Sequence, residues 1–273
     1  MKKIKLPLIT RSMLLKDLKK LGVESGNIIM LHVSVKAIGW IVGGPDVVIQ
    51  SLLDVLGTQG TLMMYIGWEE ESPYNLAKLP TEWQEAYLKE CPPFDPAISR
   101  ANRKWSILTE YLRTLPRAYR SSNPEASCAA VGAQAKWLTE NHPLQYGYGL
   151  GSPLAKLCEA RGKVLLLGAP FGSITLLHYA EHLCNVSNKR IVHYRVPTLH
   201  DGKKVWQEVE EFDTGGSVLP HAEQYFEIIP REFTSSGKGS SGCVGAAQSY
   251  LFDAFGFVGF AVNWLERKYG VKH

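Results

Sequence analysis

Three short apolar runs constrain this chain more than any other feature: "NIIMLHVS" (27–34), "GTLMMYIGW" (60–68) and "GKVLLLGAP" (162–170). Each is short for a helix and reads as a strand buried in a sheet. Between the first two, Gly43-Gly44-Pro45 opens a helix over "DVVIQSLLDVL", with proline where a first turn tolerates it. Strand, helix, strand in that order predicts an α/β unit with a parallel sheet. Upstream, Met13, Leu14, Leu18 and Leu21 fall at helical spacing in "RSMLLKDLKKL" (11–21), and Gly22 and Gly26 close that helix. Downstream, "KKVWQEVEEFD" (203–213) predicts an edge strand and "AVNWLERKYG" (261–270) a closing helix ended by Gly270. Residues 69–100 and 214–245 are polar and rich in Gly, Pro and Ser, and predict loop insertions. No linker divides two cores, so residues 1–273 are expected to form a single domain.

Composition narrows the class. At 273 residues, 45% hydrophobic and 21% charged, the chain buries enough surface to fold without staples. A net charge of +4 with no block of five like charges gives no reason to expect a nucleic-acid partner. The basic start "MKKIKLPLITR" lacks the apolar core of an export signal, and no run of ~20 apolar residues predicts a membrane span. Five cysteines, odd in number and widely spaced, predict free thiols in a reducing cytoplasm.

"ITLLHYAEHL" (174–183) is the candidate site. Thr175, His178, Glu181, His182 and Asn185 are spaced to share one helical face, with Ser173 as the expected N-cap. The helix follows the last of the three strands, and ligands of open α/β sheets bind beyond strand carboxyl ends. Three readings of the stripe stand side by side. A His–Glu pair at i, i+3 is commonly structural. His178-x-x-Glu181-His182 also spells the H-x-x-E-H of inverted zinc peptidases, which needs a third ligand such as His221, Glu208, Glu210 or Glu223. Finally, an imidazole oriented by a carboxylate is a general base, and Thr175 one turn earlier offers a hydroxyl to an oxyanion.

Six segments in order give the chain a resemblance over nearly its whole length. They are 31–68, "PPFDPA" (92–97), "RSSNPEASCAAVGAQA" (120–135), "GYGLGSPLAKL" (147–157), "VLLLGAPFGSITLLHYAEHL" (164–183) and "YLFDAFGFVGFAVNWLE" (250–266). Together they resemble the aminoglycoside 3-N-acetyltransferases, a family distinct from acetyltransferases with a Q/R-x-x-G-x-G/A pyrophosphate loop, which is absent here. The resemblance implies a three-layer α/β/α arrangement around a mixed, largely parallel sheet. It implies acetyl transfer from acetyl-CoA to the 3-amino group of the 2-deoxystreptamine ring, without a metal, with His178, Glu181 and Thr175 as catalytic residues. His182 then has no required role. On the cofactor side it implies His32, Ser34 and Lys36 in "HVSVKAIG", and Ser106 and Ile107 in "RKWSIL". For His32 the ordinary alternative is a satisfied core histidine, and for Lys36 a solvated charge. The cationic aminoglycoside calls for local acids whatever the net charge, and Tyr65, Trp68, Glu69, Asp213 and Glu223 are the expected acceptor-side residues. Asn123 stands where many family members have histidine. A monomer or a homodimer is expected. The alternatives are an acetyl-CoA-dependent enzyme for another amine, a zinc hydrolase, and a non-enzymatic binding module.

Overall fold

A computed structural model of the chain describes residues 6–69, 76, 79–219 and 224–270. The first half runs β1 (Leu8–Ile9), α1 (Arg11–Leu21), β2 (Ile28–Val33), α2 (Val35–Ile38), β3 (Trp40–Ile41), α3 (Asp46–Leu56), β4 (Thr61–Tyr65), α4 (Thr81–Glu90) and α5 (Ile107–Arg113). It continues with β5 (Tyr119–Arg120), β6 (Cys128–Gly132), α6 (Ala135–Thr139), α7 (Pro153–Glu159), β7 (Lys163–Leu167) and α8 (Leu176–Leu183). The chain then forms β8 (Ile191–His200), β9 (Lys203–Phe212), α9 (Tyr225–Ser235), β10 (Ser240–Val244), β11 (Ala247–Asp253) and α10 (Ala254–Tyr269).

The main sheet has seven strands in the order β10-β11-β7-β2-β4-β6-β5. Its centre is parallel: β2 pairs with β4 on one side and β7 on the other, with Met30 opposite both Met63 and Val164. The flanking pairs are antiparallel. Strands β2, β4, β5, β7 and β10 therefore run one way, and only β6 and β11 oppose them.

Alternation along the strands builds two cores. Ile29, Leu31 and Val33 of β2 join Leu62, Leu165 and residues of α1, α3 and α5 on one face. Met30 joins Met63, Val164, Leu166 and residues of α6 through α10 on the other. Both faces being covered explains why these strands read as unbroken apolar runs. The three layers agree with the expected α/β/α arrangement. Local signals set the helix ends. In α1, Thr10 Oγ1 accepts the Met13 N–H at 3.4 Å, and Gly22 ends the helix at φ +105°.

Three expectations change. Strand β9 is not an edge of the main sheet; it pairs along its whole length with β8, Ile191 opposite Phe212 and His200 opposite Lys203. This hairpin has cores of its own, one around Tyr194, Val196 and Val209, another where Trp206 packs on Trp68 and Phe94. The polar stretches 69–100 and 214–245 contain α4, α9 and β10 rather than loops alone. The last helix begins at Ala254, seven residues before the stretch the sequence marks, capped by Asp253 accepting from the Gly256 N–H at 2.7 Å. Among the described residues, no helix is long and apolar enough to cross a membrane.

Candidate active site

The parallel strands β2, β4 and β7 end on the same side of the sheet, and the site lies just beyond them. After β7 the chain turns at Gly168 (φ +67°), where a Cβ would fall 2.7 Å from that of Ala37 and 2.9 Å from that of Ala247. Only glycine fits such a conformation in such a space. A single 3-10 turn, Phe171–Ser173, then leads to α8. Ser173 is not the N-cap: its hydroxyl donates to the Pro170 carbonyl at 2.7 Å, inside that turn. Thr175 occupies the cap position without a side-chain cap bond, so its hydroxyl is not spent on the helix.

On α8, Glu181 Oε2 lies 2.7 Å from His178 Nδ1. The Glu181 side chain is 1% exposed and that of His178 17%, so the carboxylate is buried while the imidazole reaches solvent. The other oxygen of Glu181 accepts the Tyr225 hydroxyl from α9. Burial, then the Glu181 charge, hold the Tyr225 phenol well above the ordinary tyrosine range, so it donates at any working pH. The His178 ring is flanked by Tyr148 at 5.0 Å and Phe226 at 4.9 Å. A carboxylate on Nδ1 fixes the tautomer and leaves Nε2 with the lone pair.

Two cavities meet here. A larger one, about 550 Å³, has His32, Ser34, Lys36, Ser106 and Ile107 on its walls, with Arg103 and Lys104 beside them. The structure thus brings all five cofactor-side candidates to one cavity, from β2, α2 with its N-cap Ser34, and the start of α5. His32 is buried, and burial lowers it to about 4, so it is neutral; its Nε2 has no hydrogen-bond partner among the described residues. A smaller cavity, about 380 Å³, is lined by His178, Tyr148, Glu125, Trp105, Thr214 and Phe226, among others. Tyr65, Trp105, Ser173 and Thr175 line both. Thr175 therefore stands where the two cavities meet, and His178, three residues on, lines the smaller one.

The acceptor-side candidates are dispersed. Tyr65 is on the wall, its hydroxyl donating to the Glu125 carbonyl at 3.0 Å. Trp68 is buried edge-on against Phe94 at 5.5 Å. Glu69 accepts the Arg103 N–H at 2.8 Å and pairs with its guanidinium. Asp213 lies 2.6 Å from the Arg190 guanidinium and accepts the Gly216 N–H at 2.7 Å. It braces the loop whose next residues, Thr214 and Gly215, line the smaller cavity. Glu223, like His221, Glu70 and Glu71, lies outside the described residues.

Sequence reasoning missed Glu125, the acid on the smaller cavity's wall, and Tyr225. Neither sits in a motif that marks an acid or a phenol; Glu125 falls inside a resembling segment but has no helical or strand spacing to single it out. Asn123 sets its position. Asn123 Oδ1 accepts the N–H groups of Glu125 (3.0 Å) and Ala126 (2.9 Å), while Nδ2 donates to the Pro143 carbonyl (2.8 Å). The two histidines of the H-x-x-E-H pattern do not share a carboxylate: His182 faces Glu211 on β9. Among the described residues no group of three or more His, Cys, Asp or Glu side chains is placed to hold a metal ion.

Two confluent cavities, the smaller with a His–carboxylate pair on its wall, are the layout of an enzyme that brings two substrates together. The particular family follows from comparison: the profile described as aminoglycoside 3-N-acetyltransferase matches residues 30–266, and the chain belongs to that family. It is 50% identical to aminoglycoside N(3)-acetyltransferase III of Pseudomonas aeruginosa, over 96% of this chain and 95% of that one. Among solved structures, "AAC-IIIb binary with CoASH" superposes with a TM-score of 0.90 at 46% identity, covering 98% of this chain and 100% of the other. "AAC-VIa bound to Sisomicin" does so with a TM-score of 0.89 at 34% identity, covering 97% and 100%.

Proposed function

We propose that the protein transfers the acetyl group of acetyl-CoA to the 3-amino group of the 2-deoxystreptamine ring of aminoglycosides, by direct transfer with His178 as general base. The observation that carries this reading is the His178–Glu181 pair, with His178 on the wall of the smaller cavity and one turn from Thr175, which lines both. The relatives solved with CoASH and with sisomicin support the two ligand classes.

The larger cavity suits the donor. Lys36, Arg103 and Lys104 offer charge to phosphates, Ser34 and Ser106 offer hydroxyls, and His32 offers an unpartnered ring nitrogen. When bound, the donor supplies an activated thioester carbonyl. The smaller cavity suits the acceptor, with Glu125 against its positive charge and Tyr65 and Tyr148 as walls. An ammonium has no lone pair, so the attacking amine must be neutral. His178 Nε2 takes its proton as nitrogen attacks, Glu181 stabilises the imidazolium that forms, and as the C–S bond breaks the imidazolium gives that proton to the departing thiolate of CoA. The Thr175 hydroxyl donates to the oxygen on which charge develops.

Direct transfer also accords with the cysteines. Burial pushes the thiols of Cys128 and Cys158 up to about 12 and that of Cys184 to about 11, and no cysteine lines either cavity. The test is thiol release from acetyl-CoA with gentamicin as acceptor. His178→Ala is expected to lower kcat by ~10²-fold or more. Release within ~10-fold of wild type in that variant removes His178 as base, and no release by wild type across a panel of 2-deoxystreptamine drugs removes the acceptor assignment.

A further inference from the structure

His182 is the half of the H-x-x-E-H pattern that the proposed chemistry leaves unused, yet it is not a bystander on the surface. Its side chain is 7% exposed, and its Nε2 lies 3.0 Å from Oε1 of Glu211, whose side chain is 2% exposed. The two atoms are close and both are shut off from solvent, although Nε2 makes no hydrogen bond of good geometry among the described residues. The same Glu211 oxygen accepts the Phe212 N–H at 2.8 Å. The imidazole is clasped between aromatic rings, Phe212 at 4.7 Å and Tyr146 at 5.9 Å. The backbone is shaped around it: a Cβ at Gly149 would come within 2.7 Å of His182 Nδ1.

Burying two ionisable groups is costly unless they answer each other, and an apolar pair would fill the same space at less cost. What distinguishes this pair is where its members lie. His182 is one residue after Glu181 on the helix that carries His178. Glu211 is two residues before Asp213, where β9 gives way to a loop. That loop is braced inward by Asp213, whose carbonyl accepts the Ser217 N–H at 2.9 Å and whose own N–H donates to the Arg190 carbonyl at 2.8 Å. Thr214 and Gly215, within the braced loop, are wall residues of the smaller cavity.

We propose that His182 and Glu211 are a positioning pair that holds the loop 213–219 against the catalytic helix and thereby sets the affinity for the acceptor. The inference rests on the smaller cavity being the acceptor site, as argued above. His182 touches no reacting atom; it acts through Glu211 on Thr214 and Gly215. Neither residue lines the larger cavity, so the donor is unaffected.

The experiment compares His182→Leu, His182→Gln and Glu211→Leu with wild type. His182→Leu is expected to raise the acceptor KM about tenfold while the acetyl-CoA KM stays within about twofold. His182→Gln keeps a polar group beside the buried Glu211 carboxylate, where leucine would leave it facing an apolar side chain, and is expected to recover most of the loss. Combining His182→Leu with Glu211→Leu should add little to either alone. Hydrogen exchange in peptides covering 213–219 is expected to speed up in His182→Leu, with the sheet strands unchanged. If Glu211→Leu fails to fold, the two His182 variants decide. The proposal is overturned by unchanged acceptor KM and exchange, or by donor and acceptor KM rising together. The exchange measurement needs no acceptor, so failure of the acceptor reading shows separately, as absence of thiol release by wild type.

Discussion

Glu181 uses both of its oxygens, one on His178 and one on Tyr225, and nothing else about it reaches solvent. A carboxylate free to rotate would let the imidazole turn away from the smaller cavity, so Tyr225 is expected to matter without touching substrate. A hydrogen bond to a charged group contributes about 1.5–3 kcal/mol. Tyr225→Phe, which removes only the hydroxyl, is therefore expected to lower kcat roughly tenfold and leave both KM values near wild type; an unchanged kcat would refute the positioning role. Glu125 calls for a different signature. It stands on the wall of the smaller cavity, where a cationic acceptor gains from a fixed negative charge. Glu125→Gln is expected to raise the acceptor KM about tenfold, more so at low salt, with little change in the acetyl-CoA KM. Equal effects on both substrates would show that the residue shapes the fold and not the acceptor site.

At the scale of elements, a half-buried cation ties several segments together. Arg120, at the end of β5, donates Nε to Ser127 Oγ at 2.7 Å and its other nitrogens to the carbonyls of Ser99 and Gly67, over the ring of Phe94. Burial lowers its guanidinium to about 9, still charged at neutral pH. Three neutral acceptors on three segments are answered by one planar fork, which an ammonium cannot reproduce. Arg120→Lys is expected to destabilise the protein by about 2–4 kcal/mol in urea unfolding, and a loss under ~0.5 kcal/mol would show that the fork is not needed. The same segments show what a sequence can disclose. Helix α1 ends at Gly22 and α3 covers the stretch Asp46–Leu56, both as the sequence marks them, because caps and periodicity are local. The His178–Glu181 pair was legible for the same reason, being three residues apart on one helix. Helix α9 was hidden, because Pro230 lies inside it and the Gly/Ser-rich run after it reads as loop. The wall of the smaller cavity, Tyr65 apart, was hidden more deeply. Tyr65, Trp105, Glu125, Tyr148, Thr214 and Phe226 come from separate segments, and no spacing along the chain encodes their meeting.

For the molecule as a whole, acid is the condition under which its buried histidines turn against the fold. His32 lies at the end of a central strand and His142 in a turn, with its Nε2 2.6 Å from the Gly147 carbonyl; burial lowers both to about 4. The unfolded chain holds these imidazoles near 6.5, so between pH 6.5 and 4 it binds more protons than the folded protein. Stability therefore rises with pH through that window and is lost as pH falls. Each histidine accounts for about 2 kcal/mol between pH 7 and pH 5. Below it Glu110 acts in the same direction. Burial alone would raise its carboxyl, but hydrogen bonds from Arg113, the Ala101 N–H and Arg100 outweigh that and bring it to about 2. The stability it contributes is present above about 4.5 and is lost as pH falls towards 2; with partial exposure to solvent it is on the order of 1–2 kcal/mol. Unfolding free energies in urea at pH 7.5, 6 and 5 are thus expected to fall steadily. In His142→Gln, which keeps a donor for Gly147 and cannot titrate, the fall between pH 7 and 5 should shrink by about 2 kcal/mol. A slope the same as wild type would mean that His142 is protonated as readily in the fold as out of it. A slope that vanishes entirely would mean that His32 too is protonated as readily in the fold as out of it.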